Sequence, residues 1–68
     1  MGIFQERLRT VRKSKHLTQE EVAKGLEISY RSYRRYETGE TEPNLTILVQ
    51  IANYYDVSLD YLTGRTDE

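Results

Sequence analysis

What most limits the folds open to this chain is its punctuation. Apolar residues recur at helical spacing nearly everywhere, but helix-start residues and helix-stopping glycines cut that periodicity into short runs. Phe4, Leu8 and Val11 stand at i, i+4 and i+7, one face of a helix predicted from Ile3 to Ser14. Thr18-Gln19-Glu20-Glu21 reads as a capping box: the threonine hydroxyl accepts from the Glu21 amide and the Glu21 carboxylate reaches back to the cap. It opens a second helix that buries Val22, Ala23 and Leu26 and ends at Leu26 or Glu27. Gly25 costs this helix roughly 1 kcal/mol against alanine. Ser29 caps a third helix, from Tyr30 to Thr38, and Gly39 stands where a left-handed cap favours glycine. Asn44 caps a fourth, Leu45 to Tyr54, with Leu45, Leu48, Ile51, Ala52 and Tyr55 on one face. Ser58 caps a short fifth that Gly64 stops. No strand pattern competes, so the expected class is all-α: a compact bundle of five short helices with a core from about residue 3 to 64 and a frayed tail, 65–68.

The 68 residues suit a single domain, 1–68, with a small core and too few walls for a deep catalytic cleft. Cysteine is absent, which removes disulfides, thiolate metal sites and thiol catalysis. His16, the one histidine, lies in a polar connection and reads as solvent-facing rather than as a base or ligand. Neither a nucleophile elbow nor a phosphate-cradling glycine loop is present. The chain is therefore read as a non-enzyme, with no cofactor, metal or small-molecule ligand evident. No apolar run approaches the roughly 18 residues of a membrane span, and Glu6 and Arg7 interrupt the stretch a signal peptide would keep apolar. These features predict a soluble, cytoplasmic protein with no membrane partner.

A net charge of −1 and a pI of 5.8 do not suggest a nucleic-acid binder, but the distribution does. Residues 1–36 hold nine basic and four acidic residues, a balance of +5; residues 37–68 hold Arg65 against seven acids, a balance of −6. Phosphates feel the local basic surface, because screening over about 8–10 Å hides the distant acidic half. On charge by itself, ordinary solvated helix faces explain the pattern equally well.

The pair of helices around residues 19–38, joined by a turn of about three residues, narrows the choice. A helix-turn-helix needs a small residue where the helices cross, which Ala23 supplies, and an apolar plug in the turn, which Ile28 supplies. Tyr33 and Tyr36, at i and i+3, are the expected buried residues of the second helix. With those inward, Arg31 and Arg35 point nearly opposite the core, Arg34 points outward beside them and Tyr30 lies at the edge. The face then carries no acid until Glu37, which turns back toward the core. Arginine on such a face can fork onto the O6 and N7 atoms of guanine in the major groove.

The run Leu17-Thr18-Gln19-Glu20-Glu21-Val22-Ala23-Lys24, then Ile28-Ser29, Tyr36-Glu37-Thr38-Gly39, Pro43 and Val57-Ser58-Leu59-Asp60-Tyr61-Leu62-Thr63-Gly64, closely resembles the phage-repressor-like helix-turn-helix family, also called the xenobiotic-response-element family. The resemblance covers nearly the whole chain, from about Phe4 to Gly64. It implies a lambda-repressor-like DNA-binding domain in which Gln19 contacts phosphate and braces the reading residues. Ser29, Tyr30, Arg31 and Arg35 match positions that reach bases or nearby phosphates; apart from the resemblance, Arg34 and Arg12 are expected among the phosphate-positioning groups. Thr38 and Gly39 match a segment whose backbone approaches a phosphate. Arg12 and Glu37 match a salt bridge tying the first helix to the end of the recognition helix. Three positions depart from the pattern. Glu27 stands where the family usually has glycine, at a turn position tending to positive φ, at a cost of about 1–2 kcal/mol. Glu40 and Glu42 make the following loop acidic. Tyr30 replaces a small polar or amide residue, and suits a thymine methyl or a phosphate.

The resulting expectation is a transcriptional regulator, a repressor, binding double-stranded DNA at a pseudo-palindromic operator as a homodimer. Tyr54, Tyr55, Leu59, Tyr61 and Leu62 form the candidate dimer surface, some of them serving to cover the core instead. Two other readings share the fold: an antitoxin or other protein-binding module, against which the lack of a separate toxin-binding extension weighs, and a controller of a restriction–modification system.

Overall fold

The residues described by the computed structural model, 2–67, form five helices: α1 (Ile3–Ser14), α2 (Gln19–Leu26), α3 (Tyr30–Thr38), α4 (Leu45–Tyr55) and α5 (Leu59–Thr63). No strand occurs among them. The caps set the helix starts. Thr18 Oγ1 accepts from the Glu21 amide at 3.1 Å while Glu21 Oε1 accepts from the Thr18 amide at 2.8 Å, completing the capping box. The side chains of Ser29, Asn44 and Ser58 accept from the amides of Ser32, Ile47 and Tyr61 in the same way. Four of the helices end on a left-handed residue: Glu27, Gly39, Asp56 and Gly64. His16, just past α1, is left-handed as well, with φ of 58°. Such a conformation suits glycine, and short polar side chains tolerate it; Glu27, at φ of 60°, has no such excuse.

Leu8, Val11, Val22, Ala23, Leu26, Tyr33, Ile51, Ala52, Tyr55 and Leu62 form the core, with Ile28 half-buried against it. α1 packs on α3 and α5, α2 on α3 and α4, and α4 on α5. Gly25 has a packing reason: a Cβ there would fall 2.5 Å from the Tyr54 ring, so the glycine admits the α4 tyrosine against α2.

Several expectations need correction. Leu45 is 72% exposed, because at about 100° per residue it lies some 70° from the mean direction of Ile51, Ala52 and Tyr55. Of the candidate dimer surface, Tyr55 and Leu62 are fully buried and Tyr61 is half-buried, leaving Tyr54 and Leu59 at the surface. Tyr55 is inward because its hydroxyl meets that of Tyr33 at 2.6 Å. Residues 65–67 have partners in the fold: the Arg65 and Thr66 amides donate to the Asp60 carbonyl, and Arg7 reaches across from α1. Its guanidinium donates to the carbonyls of Tyr61 and Thr66, pairs with Asp67, and lies 4.5 Å from the Tyr61 ring centre. Glu68 lies outside the described residues.

The left-handed Glu27 generates a stability prediction. Glu27→Gly should relieve the strain, offset in part by the greater freedom of the unfolded chain, for a net gain of about 1 kcal/mol. In a domain of this size, calorimetry should then show Tm rising by roughly 4–8 °C; an unchanged or lower Tm would mean the turn is unstrained.

Candidate nucleic-acid interface

The turn between α2 and α3 is held by backbone: the Ile28 amide donates to the Ala23 carbonyl at 3.0 Å, and the Ile28 side chain packs inward. α3 then buries Tyr33 and Glu37 rather than the expected Tyr33 and Tyr36; Tyr36 is half-buried. The buried pair is thus i and i+4, and its second member is an acid because partners await it.

Glu37 is only 1% exposed and is fully satisfied. Arg12 Nε donates to its Oε2 at 2.7 Å and Arg12 Nη2 to its Oε1 at 3.2 Å, a bidentate pair from α1. Gln19 Nε2, on the first turn of α2, donates to Oε1 at 2.9 Å. Burial pushes the carboxyl up, but hydrogen bonds from Arg12, Tyr33 and Gln19 and the Arg12 charge outweigh it and hold its pKa below the usual value. Arg12 is raised by its hydrogen bond with Glu37. The neighbouring Tyr33 and Tyr55 hydroxyls are pushed up by burial, Tyr55 to about 12, and stay neutral. Arg9 adds a bond from Nη1 to the Glu37 carbonyl at 2.7 Å. The acid at the end of α3 is therefore folded into a knot that fixes α3 against α1 and α2.

The opposite side of α3 is basic. Arg31 and Arg34 are exposed, Tyr30 is 45% exposed, and Arg35 is half-exposed. Arg31, Arg34 and Arg35 border one depression, together with Glu40. Gln19 and Tyr30 border another recess at the start of the motif, beside Thr18 and Glu20.

Other expected site residues carry internal duties. Arg12, its side chain 13% exposed, also donates from Nη1 to the Leu17 carbonyl, so it is chiefly structural. The Ser29 hydroxyl caps α3 and donates to Ser32 Oγ at 2.9 Å. The amides of Gly39 and Thr41 both donate to the Arg35 carbonyl, and the Glu40 amide to Thr38 Oγ1. The left-handed cap at Gly39 thus consumes the backbone donors expected to face a phosphate. Sequence reasoning missed the contacts of Glu40, whose carboxylate meets Thr38 Oγ1 at 3.3 Å and Arg35 Nε at 3.7 Å. The signal was present: the glycine turn after Thr38 folds residue 40 back over the last turn of α3.

A helix-turn-helix family profile matches residues 8–62. The chain belongs to that family, in its phage-repressor-like branch. It is 47% identical over 67 residues to the HTH-type transcriptional regulator YqaE of Bacillus subtilis, covering 97% of this chain and 58% of that protein. It is 44% identical over 67 residues to the cryptic phage CTXphi transcriptional repressor RstR of Vibrio cholerae, covering 96% and 60% respectively. A solved transcriptional regulator from Listeria innocua superposes with a TM-score of 0.83 at 32% identity, over 96% of this chain and 61% of that one. The chain thus spans about 60% of the length of these three relatives. Membership places this helix-turn-helix domain with DNA-binding regulators rather than enzymes. Among the described residues, no helix is long and apolar enough to cross a membrane.

The Glu37 knot sets an acid limit on this helix-turn-helix. Folded Glu37 binds its proton less readily than an unfolded glutamate, so its contribution is present above the ordinary carboxylate value of 4.5 and is lost as pH falls through its lower folded value. Glu37→Gln should cost about 3 kcal/mol at neutral pH by leaving Arg12 without its counter-charge. Denaturant titrations should show a smaller penalty at pH 3 than at pH 7. A penalty constant with pH would mean that the charge on Glu37 contributes nothing.

Proposed function

We propose that this domain reads specific sites in double-stranded DNA through α3 and acts as a transcriptional repressor, binding a pseudo-palindromic operator as a homodimer. The observation that carries the reading is the division of α3 into two faces. Its one acid is buried in bonds to α1 and α2, and its exposed face presents Tyr30, Arg31, Arg34 and Arg35. A helix held rigidly, with arginines turned outward, suits entry into a major groove.

In this reading Arg31 and Arg35 reach base edges and Tyr30 adds a thymine methyl or phosphate contact at the start of the helix. Gln19 keeps one amide hydrogen for a phosphate while the other holds Glu37. Arg34 serves the backbone. Ser29 fixes the start of the reading helix, and Arg12 acts through Glu37. Thr38 and Gly39 bring the exposed end of α3 near the duplex backbone, with the Gly39 amide held inside the cap. Repression rests on the likeness to RstR. A two-fold dimer would present two reading helices about one DNA turn, ~34 Å, apart, which supplies the specificity one short helix lacks. Of the residues expected at a dimer surface, Tyr54 and Leu59 remain exposed, beside Leu45 and Val49 of α4, and sedimentation of a strict monomer with and without operator would remove the dimer.

Selection of duplexes from a random library, with affinities measured at two salt concentrations, tests the reading directly. A two-fold symmetric motif should emerge, bound far more tightly than random DNA. Arg31→Ala should weaken the selected duplex by about 1–3 kcal/mol and relax preference at one base position per half-site. No enriched motif, with weak binding that vanishes as salt rises, would refute it.

A further inference from the structure

We propose that Glu40 determines specificity: by holding the Nε edge of Arg35, it directs that arginine to bases and penalises its use on phosphates. The inference rests on the DNA-reading function proposed above. Its basis is the placement of one acid among three arginines. Glu40 borders the same depression as Arg31, Arg34 and Arg35. Its carboxylate lies 3.3 Å from Thr38 Oγ1, whose one hydrogen also has the Arg35 carbonyl at 3.1 Å, and forms an ion pair with Arg35 Nε at 3.7 Å, longer than a hydrogen bond. The Glu40 amide in turn donates to Thr38 Oγ1 at 3.4 Å, and left-handed Gly39, at φ of 85°, folds this segment back on the helix end.

The geometry divides the guanidinium. Arginine carries its donors in a fixed fork, with the Nε–H on one edge and the two Nη groups at the end. Glu40 occupies the Nε side, so the Nη pair is left for an outside acceptor. Guanine offers two acceptors, O6 and N7, at the spacing of that fork. A carboxylate on the surface adds little while water screens it. Covered by a duplex, the same charge matters more, because both its attraction to Arg35 and its repulsion from phosphates strengthen as water leaves.

The two kinds of DNA then differ. On the correct site, Arg35 keeps Glu40 as a partner and satisfies a base with its fork. On random sequence, the favourable use of an arginine is a phosphate. Turning Arg35 there abandons Glu40 beside the negatively charged backbone. Specificity is a difference of affinities, and Glu40 widens it by weakening the wrong complex more than the right one.

Glu40→Gln, Arg35→Ala and the double variant test this against the selected duplex, its single-base substitutions and random duplex, at two salt concentrations. Glu40→Gln should tighten random-DNA binding by roughly 3–10-fold and change the selected duplex by less than about 2-fold. Base preference should relax at the position that Arg35→Ala also relaxes, and Glu40→Gln should no longer alter preference in the Arg35→Ala background. Equal tightening of both duplexes with preferences intact would reduce Glu40 to a general repulsive charge and overturn the proposal. So would a shifted Tm with no change in base preference, or no change of any kind. Wild-type protein that enriches no motif overturns the DNA-reading function and this inference with it; a wild-type motif that Glu40→Gln reads identically overturns only the inference.

Discussion

A buried carboxylate is the constraint on which the rest of this helix-turn-helix depends. Glu37 is ionised at 1% exposure, an expensive arrangement unless each oxygen finds donors. The donors come from α1 and the first turn of α2, so α3 can be in only one place when they are all satisfied. Apolar packing is non-directional and would tolerate some rotation of a nine-residue helix with one buried and one half-buried tyrosine. A bidentate guanidinium does not. The orientation of the arginine face follows from the acid on the other side.

That constraint separates the basic residues into two groups that charge counting merges. The first 36 residues carry a balance of +5, but Arg7, Arg9 and Arg12 are turned into the fold. Arg7 ties α1 to α5 and the tail, Arg9 holds the end of α3, and Arg12 holds Glu37. Positive surface therefore comes from Lys13, Lys15 and Lys24 with the three arginines of α3, all but Arg35 exposed. The excess at the interface is concentrated on one helix, which favours reading over indiscriminate attraction.

The helix boundaries were legible because each depends on neighbours in sequence. Thr18, Ser29, Asn44 and Ser58 cap as their types predict, and Gly39 and Gly64 turn left-handed where expected. The Arg12–Glu37 pair was reachable only through resemblance, since nothing local joins residues 25 positions apart. Contacts of that range otherwise went unread. Tyr55 stands both on the apolar face of α4 and among the candidate dimer residues, and sequence alone does not choose between them because it does not reveal the Tyr33 hydroxyl waiting across the core. Leu62 faced the same ambiguity, and the tail was expected to fray because no sequence signal connects Arg7 with residues 54–60 positions away. Gly25 looked like a blemish until α4 placed Tyr54 over it. On α3, hydrophobicity favoured Tyr36 for burial over Glu37; an acid with three donors in reach competes successfully for the interior.

α3 is also bounded at both ends by its own turns. Ser29 closes its first turn, while Gly39 and the amides of residues 39 and 41 close its last around the Arg35 carbonyl. Nine residues cannot form a stable helix on their own, so caps and knot together replace the length it lacks. The backbone needs little further ordering when a ligand arrives; the entropy still to be lost sits in the long side chains of Arg31, Arg34 and Arg35. In the proposed function, those are also the groups that would choose between a base and a phosphate. Glu40, beyond the C-terminal end of the helix and beside the depression that the three arginines border, would in the proposed role act where that freedom is largest.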